Sequence, residues 1–199
     1  HRVLRAHGQL ICEYGQTVRI ELKNSEDVTE SQLLPCVGLE GDRFSFGNVP
    51  VQVADFHSEI LESGIHYIRF HHFLTPIRDP YVKAIEQAIQ LNAKGLVIDL
   101  RGNTGGMIAV GQGLIGYLLT QSDLLFAQQI TQESEFRYII YPRPDHQVFK
   151  GELVVLIDEL SISTAEIFAR AIQLSGRGTI IGSPSTGRVL SSMVESLPN

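Results

Sequence analysis

GLVIDLRGNTGG, at residues 95–106, places a short apolar strand directly before a glycine-rich turn. The run at 95–100 is continuous and apolar, which is typical of a strand buried on both faces of a parallel sheet. The glycine-rich turn, residues 99–106, lets the backbone bend sharply and leaves N–H groups facing outward, where they can hold a phosphate or a developing oxyanion. It lacks the Gly-Lys-Ser/Thr ending of a P-loop and the GxGxxG spacing of a dinucleotide site. These residues alone fit an anion-binding turn and a plain strand-to-helix connection equally well.

Strands and helices alternate on both sides of this segment. A strand-like run at 65–70 precedes a helix that we predict to begin with Asp79 as N-cap and Pro80 at the first helical position, and to end at Gly95. The other predicted elements are a helix at 107–119, an inserted hairpin within 121–150, a buried strand at 153–157, a helix at 164–175 and a buried strand at 179–181. This order indicates an α/β fold whose parallel strands are joined by right-handed crossover helices.

The first 54 residues are β-rich and irregular. Residues 17–23 alternate apolar and polar side chains, which predicts a half-buried antiparallel strand, and residues 24–35 are predicted to be a turn or linker. Short strands follow within 43–54. We therefore expect a β-rich segment at 1–54 and a core domain at 55–199. Because the chain begins at His1 without Met and ends without a terminal element, we expect it to be a piece of a longer protein, with the core domain truncated at its C-terminus.

Composition excludes several classes of protein. The 199 residues are 43% hydrophobic and 19% charged, which is too apolar for a disordered chain. The net charge of −6 argues against a nucleic-acid partner, and no apolar run approaches the roughly 20 residues that span a bilayer. Cys12 and Cys36 fit two small buried side chains better than a disulfide, and they lack metal-site spacing. We expect no metal and no cofactor.

A second turn, LSISTAEI at residues 160–167, follows the predicted strand at 153–157, and we call it the serine turn. Ser163 and Glu166 have the spacing of a capping box ahead of an apolar helical run. A serine at a helix N-terminus also lies at the positive end of the helix dipole, where a tetrahedral oxyanion is stabilised. Because the carboxyl ends of parallel strands meet at one edge of a sheet, amides of both turns can form a two-donor oxyanion hole.

Together these segments resemble the C-terminal processing (tail-specific) serine peptidases, a family that also includes the tricorn core and the retinoid-binding protein repeats. Residues 95–106 are similar to the family's signature, residues 153–169 to its nucleophile segment and residues 176–182 to its next strand. The resemblance covers residues 55–199 and implies a ClpP/crotonase-like core. Residues 1–24 are similar to the end of the PDZ-like domain that precedes this core in the family.

The resemblance also implies roles for individual residues. By position, Ser163 is the nucleophile, Thr164 and the Gly105-Gly106 pair supply the oxyanion-hole N–H groups, and Glu166 is an acidic residue near the site. A polypeptide substrate, a homo-oligomer and an extracytoplasmic or periplasmic location are further expectations from the family.

The chain departs from the family at the general base. The processing peptidases have a lysine 25 residues after the serine, and this chain has Arg188 there. A guanidinium stays protonated at neutral pH and cannot take the proton of a serine. In the tricorn-like branch a histidine on another segment does this work; the candidates here are His57, His66, His71 and His72. A histidine outside this chain, or the loss of activity, would explain Arg188 equally well.

Three functions therefore stay open. The expected one is a serine endopeptidase that forms an acyl-enzyme on Ser163, with its general base unidentified. The first alternative, which Arg188 favours, is an inactive module that binds peptides or hydrophobic ligands on the same fold. The second is an acyl-CoA enzyme, since crotonase-like cores also stabilise an oxyanion with two backbone amides; the net charge of −6 counts against it.

Overall fold

The computed structural model describes residues 15–23, 29–38, 40–45, 47, 49 and 51–191. The chain divides into two compact units, His1–Glu40 and Gly41–Asn199. No helix in the described part of the chain is both long and apolar enough to cross a membrane.

The first unit contains an antiparallel hairpin. Strand β1 (Thr17–Lys23) pairs with β2 (Thr29–Pro35), and the half-buried Val18 and Ile20 confirm the predicted strand. The prediction of a turn or linker at 24–35 is wrong for β2. Every residue of β2 is exposed, so the strand has no apolar alternation that would mark it, and its pairing with β1 defines it.

Cys36 follows this hairpin. Its N–H donates to the Gln16 carbonyl over 2.7 Å, and its carbonyl accepts from the Gly15 N–H over 3.0 Å. Cys36 is buried and disulfide-bonded, so the prediction of a separate small buried side chain is wrong for this residue. Cys12 lies outside the described residues.

The second unit is built around a five-stranded sheet in the order β11-β10-β7-β6-β5, in which β5 alone is antiparallel to its neighbour. Two antiparallel pairs, β3-β4 and β8-β9, lie outside this sheet. The elements are β3 (Asp42–Phe44), β4 (Gln52–Ala54), β5 (His57–Ile60), β6 (Ile65–Arg69), α1 (Arg78–Gln90), β7 (Gly95–Asp99), α2 (Ile108–Ile115), β8 (Leu125–Ile130), β9 (Glu135–Ile139), β10 (Glu152–Ile157), α3 (Thr164–Leu174) and β11 (Thr179–Gly182).

The helices cover one face of this sheet. From β6 to β11 the spatial order follows the chain order, so right-handed crossovers place all three helices on the same face, where α1 contacts α2 and α2 contacts α3. Ile68, Ile98 and Val155 are neighbours across the sheet on this face, and all three are fully buried. On the opposite face Val97 and Val154 are only half-buried. The apolar runs of these strands predict burial on both faces, and on this second face the burial is incomplete.

The predicted boundaries of α1 are wrong at both ends. A 3-10 turn at Thr75–Ile77 leads directly into the helix, so Ile77 is the N-cap and Asp79 lies inside the first turn. The helix ends at Gln90, and Asn92 turns the chain with a φ of 47°. Gly95 is the first residue of β7. The other predicted strands and helices of this unit are confirmed, with boundaries shifted by one to four residues.

His66, on β6, is fully buried, and neither of its ring nitrogens has a hydrogen-bond partner. Burial lowers the pKa of this imidazole from its usual 6.5, so the folded protein holds it neutral. The unfolded chain therefore binds an extra proton below about pH 6.5, and the free energy of unfolding decreases as the pH falls below this value.

Replacing His66 with leucine should therefore reduce the loss of stability between pH 7.5 and pH 5. We expect His66→Leu to be close to neutral at pH 7.5, because an unpartnered buried polar group is replaced by an apolar one. Urea unfolding at both pH values measures the effect, with His146→Gln, at an exposed position, as the control. Equal pH dependence in His66→Leu and the unmodified protein would contradict this account of His66.

Candidate active site

The glycine-rich turn and the serine turn meet at the carboxyl ends of β7 and β10. The Ile162 N–H donates to the Asn103 carbonyl over 2.9 Å, and the Ser161 hydroxyl donates to the Leu100 carbonyl over 2.7 Å. Ser161 is fully buried, so this second bond is shielded from water. The convergence of the two turns that the parallel order predicts is present.

Two polar side chains that the sequence analysis missed hold these turns in place. Asn103 is fully buried; its Nδ2 donates to the Phe70 carbonyl over 2.9 Å and its Oδ1 accepts the Gly105 N–H over 2.9 Å. Asp158 accepts the Gly102 N–H over 2.9 Å through Oδ1. Because each side chain bonds backbone groups of the two turns or of the segment beside them, both fix the shape of the turns.

Gly105 lies where the two turns come closest. A Cβ atom at this position would be 2.7 Å from the Ser163 Cβ and 3.1 Å from the Thr164 nitrogen, and the φ of 91° also requires glycine. The Gly105 N–H is already bonded to Asn103. Gly105 therefore allows the glycine-rich turn and the serine turn to lie in contact. Of the predicted Gly105-Gly106 pair, only Gly106 has an N–H that is available to an oxyanion.

The N–H groups of Gly106 and Thr164 donate no hydrogen bond to any residue that the structure describes. The Thr164 hydroxyl donates to the Gly106 carbonyl over 2.8 Å, which ties the two peptide units together. Thr164 is the first residue of α3, where N–H groups have no partner within the helix. Both residues line one cavity with Ser163, so two free donors and a hydroxyl share one space.

Ser163 is the N-cap of α3 and forms the predicted capping box with Glu166. Its backbone has a φ of 58° and a ψ of −120°, a conformation that is strained for any residue other than glycine. Strain of this kind also occurs at nucleophilic serines on other strand-to-helix turns. No side chain in the described part of the chain forms a hydrogen bond with the Ser163 hydroxyl.

Glu166 is almost fully buried, and its carboxylate accepts three backbone N–H groups. The Ser163 N–H lies 2.9 Å away, the Gly187 N–H 2.7 Å and the Arg188 N–H 2.9 Å. The Ser163 N–H also donates to the Arg188 carbonyl over 3.0 Å. Glu166 therefore holds the 187–188 backbone against Ser163, and this contact positions both segments.

Arg188 occupies the position where the family resemblance predicts a lysine. Its side chain is exposed, and its guanidinium forms no ion pair or side-chain hydrogen bond within the described residues. Its neighbours Val189 and Leu190 line the cavity, but Arg188 does not. Residues on the C-terminal side of Arg188 therefore border the site, while the Arg188 guanidinium lies outside the cavity lining.

The cavity beside Ser163 has a volume of about 700 Å³ and is mainly apolar, with Leu74, Ile108 and Phe136 among its lining residues. Of the histidines that the structure describes, His72 alone lines it. His66 lies in the core, exposed His57 is 3.4 Å from Glu59, and His71 is bonded to Asp55 over 2.6 Å.

The His72 ring is hydrogen-bonded to the backbone of Val53, and its Nδ1 is buried without a hydrogen-bond partner. Burial lowers the pKa of the ring more than Asp55 and the Val53 bond raise it. The ring is therefore neutral at pH 7, as a general base must be.

No three His, Cys, Asp or Glu side chains in the described residues are grouped so that they could hold a metal ion.

The known proteins that this chain resembles are described as peptidases or proteases. The sequence profile described as Peptidase family S41 matches residues 64–199. A carboxyl-terminal-processing protease of Picosynechococcus sp. is 27% identical over 67% of this chain and 31% of its own length. The carboxy-terminal processing protease CtpA of Bacillus subtilis is 28% identical over 76% of this chain and 34% of its own length. The chain thus spans about a third of these relatives.

A solved structure has the same fold. The photosystem II D1 C-terminal processing protease aligns with a TM-score of 0.58 and 19% identity, over 88% of this chain and 46% of the other. This likeness confirms the α/β fold with parallel strands and crossover helices. At this identity it shows the architecture alone.

Proposed function

Because the chain belongs to peptidase family S41, we propose that it is the core of a serine peptidase and cleaves peptide bonds through an acyl-enzyme on Ser163. The observation that carries the proposal is the pairing of two unoccupied N–H groups, on Gly106 and Thr164, with a strained serine in one cavity. Preorganised donors of this kind stabilise the charge that develops on a carbonyl oxygen.

The proposed reaction has two steps. The Ser163 Oγ attacks the carbonyl carbon of the substrate, and the carbonyl oxygen becomes an oxyanion between the two N–H groups. The C–N bond then breaks as the amine leaves with a proton, and an ester remains on Ser163. Water attacks this ester in the same geometry, which releases the acid and restores the hydroxyl.

We propose His72 as the base that takes the Ser163 proton and passes it to the leaving amine. Within the described part of the cavity lining, His72 is the one side chain of a type that titrates near neutral pH. A neutral imidazole carries a lone pair on one of its two nitrogens. The two side chains are not hydrogen-bonded without substrate. Contacts of this kind often tighten only in the substrate complex.

Replacing His72 with alanine should lower kcat/KM for peptide hydrolysis by about 100- to 10,000-fold, the usual contribution of a general base. The rate of the unmodified protein should rise with pH through a His72 pKa below 6.5 and be level at pH 7, because only the neutral ring accepts a proton. Added imidazole should restore part of the activity of His72→Ala, and the exposed His57→Gln variant should behave like the unmodified protein. An unchanged rate and pH profile in His72→Ala would exclude this role.

The mainly apolar lining supports a polypeptide substrate with an apolar residue next to the cleaved bond. The β8-β9 hairpin contributes to this lining through Gln129, Phe136 and Tyr138. Apolar side chains buried in such a cavity contribute roughly 25 cal/mol per Å² to binding.

The inactive binding module is the second candidate. It is favoured by Arg188 at the expected lysine position and by the absence, in the described residues, of a side-chain bond to the Ser163 hydroxyl. It predicts peptide binding without turnover.

Treatment of the protein with a fluorophosphonate separates the two candidates. If the protein is a peptidase, the Ser163 Oγ displaces fluoride from the reagent and carries one phosphonyl group. Mass spectrometry of the digested protein locates this group. An unmodified Ser163 under conditions that label a control serine protease would support the binding module.

A further inference from the structure

A second cavity, of about 290 Å³, lies beside the Ser163 cavity, and Met107 and Ala109 line both. Its floor is one side of α2 and the turn after it, formed by Val110, Leu114 and Tyr117 at helical spacing. The two shared lining residues make the cavities direct neighbours. We call this second space the arginine cavity.

Two arginines, Arg78 and Arg143, line the arginine cavity, and the structure shows neither with an anionic partner. No ion pair within residues 51–191 includes either of them. The acid nearest to Arg143 in sequence, Asp145, is paired with Lys150 over 2.5 Å. Asp79 follows Arg78 in the first turn of α1 and forms no ion pair with it. Two cations therefore share a small space in a chain whose net charge is −6.

Arg143 is held in a defined orientation. Its guanidinium carbon lies 4.9 Å from the centre of the Tyr117 ring, and its Nη2 donates to the Gly113 carbonyl over 3.4 Å. The Nε of Arg143 is buried without an acceptor. Within the described residues the guanidinium makes one hydrogen bond, the long one to Gly113, so most of its donors have no protein acceptor.

The distance to the Ser163 cavity fits a peptide. Ala109 lines both cavities, and Gly113 is four residues further along α2. At a rise of 1.5 Å per residue this is about 6 Å, or roughly two residues of an extended peptide. A group bound at Arg143 therefore lies about 6 Å along α2 from a residue that also lines the Ser163 cavity.

We propose that the arginine cavity binds a carboxylate of the peptide whose cleaved bond lies at Ser163, held by Arg78 and Arg143. The carboxylate belongs either to an aspartate or glutamate side chain or to the C-terminus of the peptide. The identity of the ligand as a peptide rests on the proposed function. Planar guanidinium groups match the two oxygens of a carboxylate, which gives these contacts both strength and direction.

Binding of rhodamine-labelled heptapeptides tests the inference, measured by fluorescence anisotropy with Ser163→Ala protein so that no peptide is cut. One peptide of alanine and leucine is amidated, and a second with the same sequence has a free C-terminus. A third group consists of amidated peptides in which one glutamate occupies a different position in each. We expect at least one carboxylate peptide to bind about tenfold more tightly than the amidated peptide, with a smaller difference at high salt. The peptide that gains affinity identifies the source of the carboxylate.

Variants assign the effect to the arginines. In Arg78→Gln and in Arg143→Gln the difference between the peptides should fall below about twofold, and Arg143→Lys should retain part of it. Arg170→Gln is the control, since Arg170 is exposed on α3 and bonded to Gln173. Arg78 is exposed and has no side-chain hydrogen bond in the described structure, so its variant stays informative if Arg143→Gln fails to fold.

The inference is overturned if no carboxylate peptide gains affinity, or if the gain persists in both glutamine variants. Cleavage of the same peptides by the unmodified protein separates this inference from the proposed function. Cleavage without preference for a carboxylate would overturn the inference alone. Carboxylate-selective binding without cleavage would overturn the proposed function alone.

Discussion

Replacing Ser163 with alanine should lower the rate of peptide hydrolysis by about ten-thousandfold or more, because the substitution removes the nucleophile. The Ser163 Oγ is the atom that forms the covalent bond, so its removal eliminates the acyl-enzyme itself. Cleavage of a quenched fluorescent peptide with an apolar sequence, followed over a range of substrate concentrations, measures the loss.

The matched control is Ser122→Ala, since Ser122 is an exposed serine that does not line the Ser163 cavity. It should keep the full rate. Binding of the same peptide should survive in Ser163→Ala, because the apolar lining of the cavity is unchanged. A Ser163→Ala protein that cuts peptides at the unmodified rate would show that the activity arises elsewhere.

Replacing Gly105 with alanine should abolish most of the activity and also destabilise the fold. The new Cβ would lie 2.7 Å from both the Ile162 carbonyl oxygen and the Ser163 Cβ, and the φ of 91° is strained for alanine. The glycine-rich turn and the serine turn must then move apart, which displaces the Gly106 donor from Ser163. We expect a loss of at least about 100-fold in kcat/KM, the effect of removing one oxyanion donor, and about 2–4 kcal/mol in stability.

Gly176→Ala distinguishes the loss of the close approach from backbone strain alone. Gly176 has a φ of 67°, but an added Cβ would meet no atom within 4 Å. This variant should lose about 1–2 kcal/mol of stability through strain and keep its activity. Urea unfolding and fluorophosphonate labelling of both variants measure the two effects. Equal activity in Gly105→Ala and Gly176→Ala would contradict the close approach of the two turns as the basis of the site.

The strands that position the site could be predicted because buried strands consist of apolar residues. β7 and β10 are short apolar runs, and the structure places them side by side in the sheet. β5 is largely polar and mostly exposed, and it is defined by its pairing with β6. Its existence depends on a neighbour rather than on its own residues, so no local pattern predicts it.

The site was predictable where a local motif carries the chemistry. Ser163 and Glu166 form a capping box at a spacing that the sequence shows directly. Asn103 and Asp158 were missed because their roles depend on partners 33 and 56 residues away in the chain. Only the folded chain shows that the Asn103 side chain accepts a hydrogen bond from the Gly105 N–H.

The choice among the candidate histidines likewise required the fold. His71 and His72 are adjacent in sequence, yet His71 is bonded to Asp55 and His72 lines the Ser163 cavity. Neighbouring residues of an extended segment face opposite sides, and which side meets Ser163 depends on the packing of a distant turn.

The most direct test of the oxyanion site is a crystal structure of the protein with a peptide aldehyde whose terminal residue is apolar. The Ser163 Oγ should add to the aldehyde carbon, and the resulting hemiacetal oxygen should lie about 2.7–3.1 Å from the nitrogens of both Gly106 and Thr164. An aldehyde bound without a bond to Ser163, or a hemiacetal oxygen beyond hydrogen-bond reach of both nitrogens, would contradict the account.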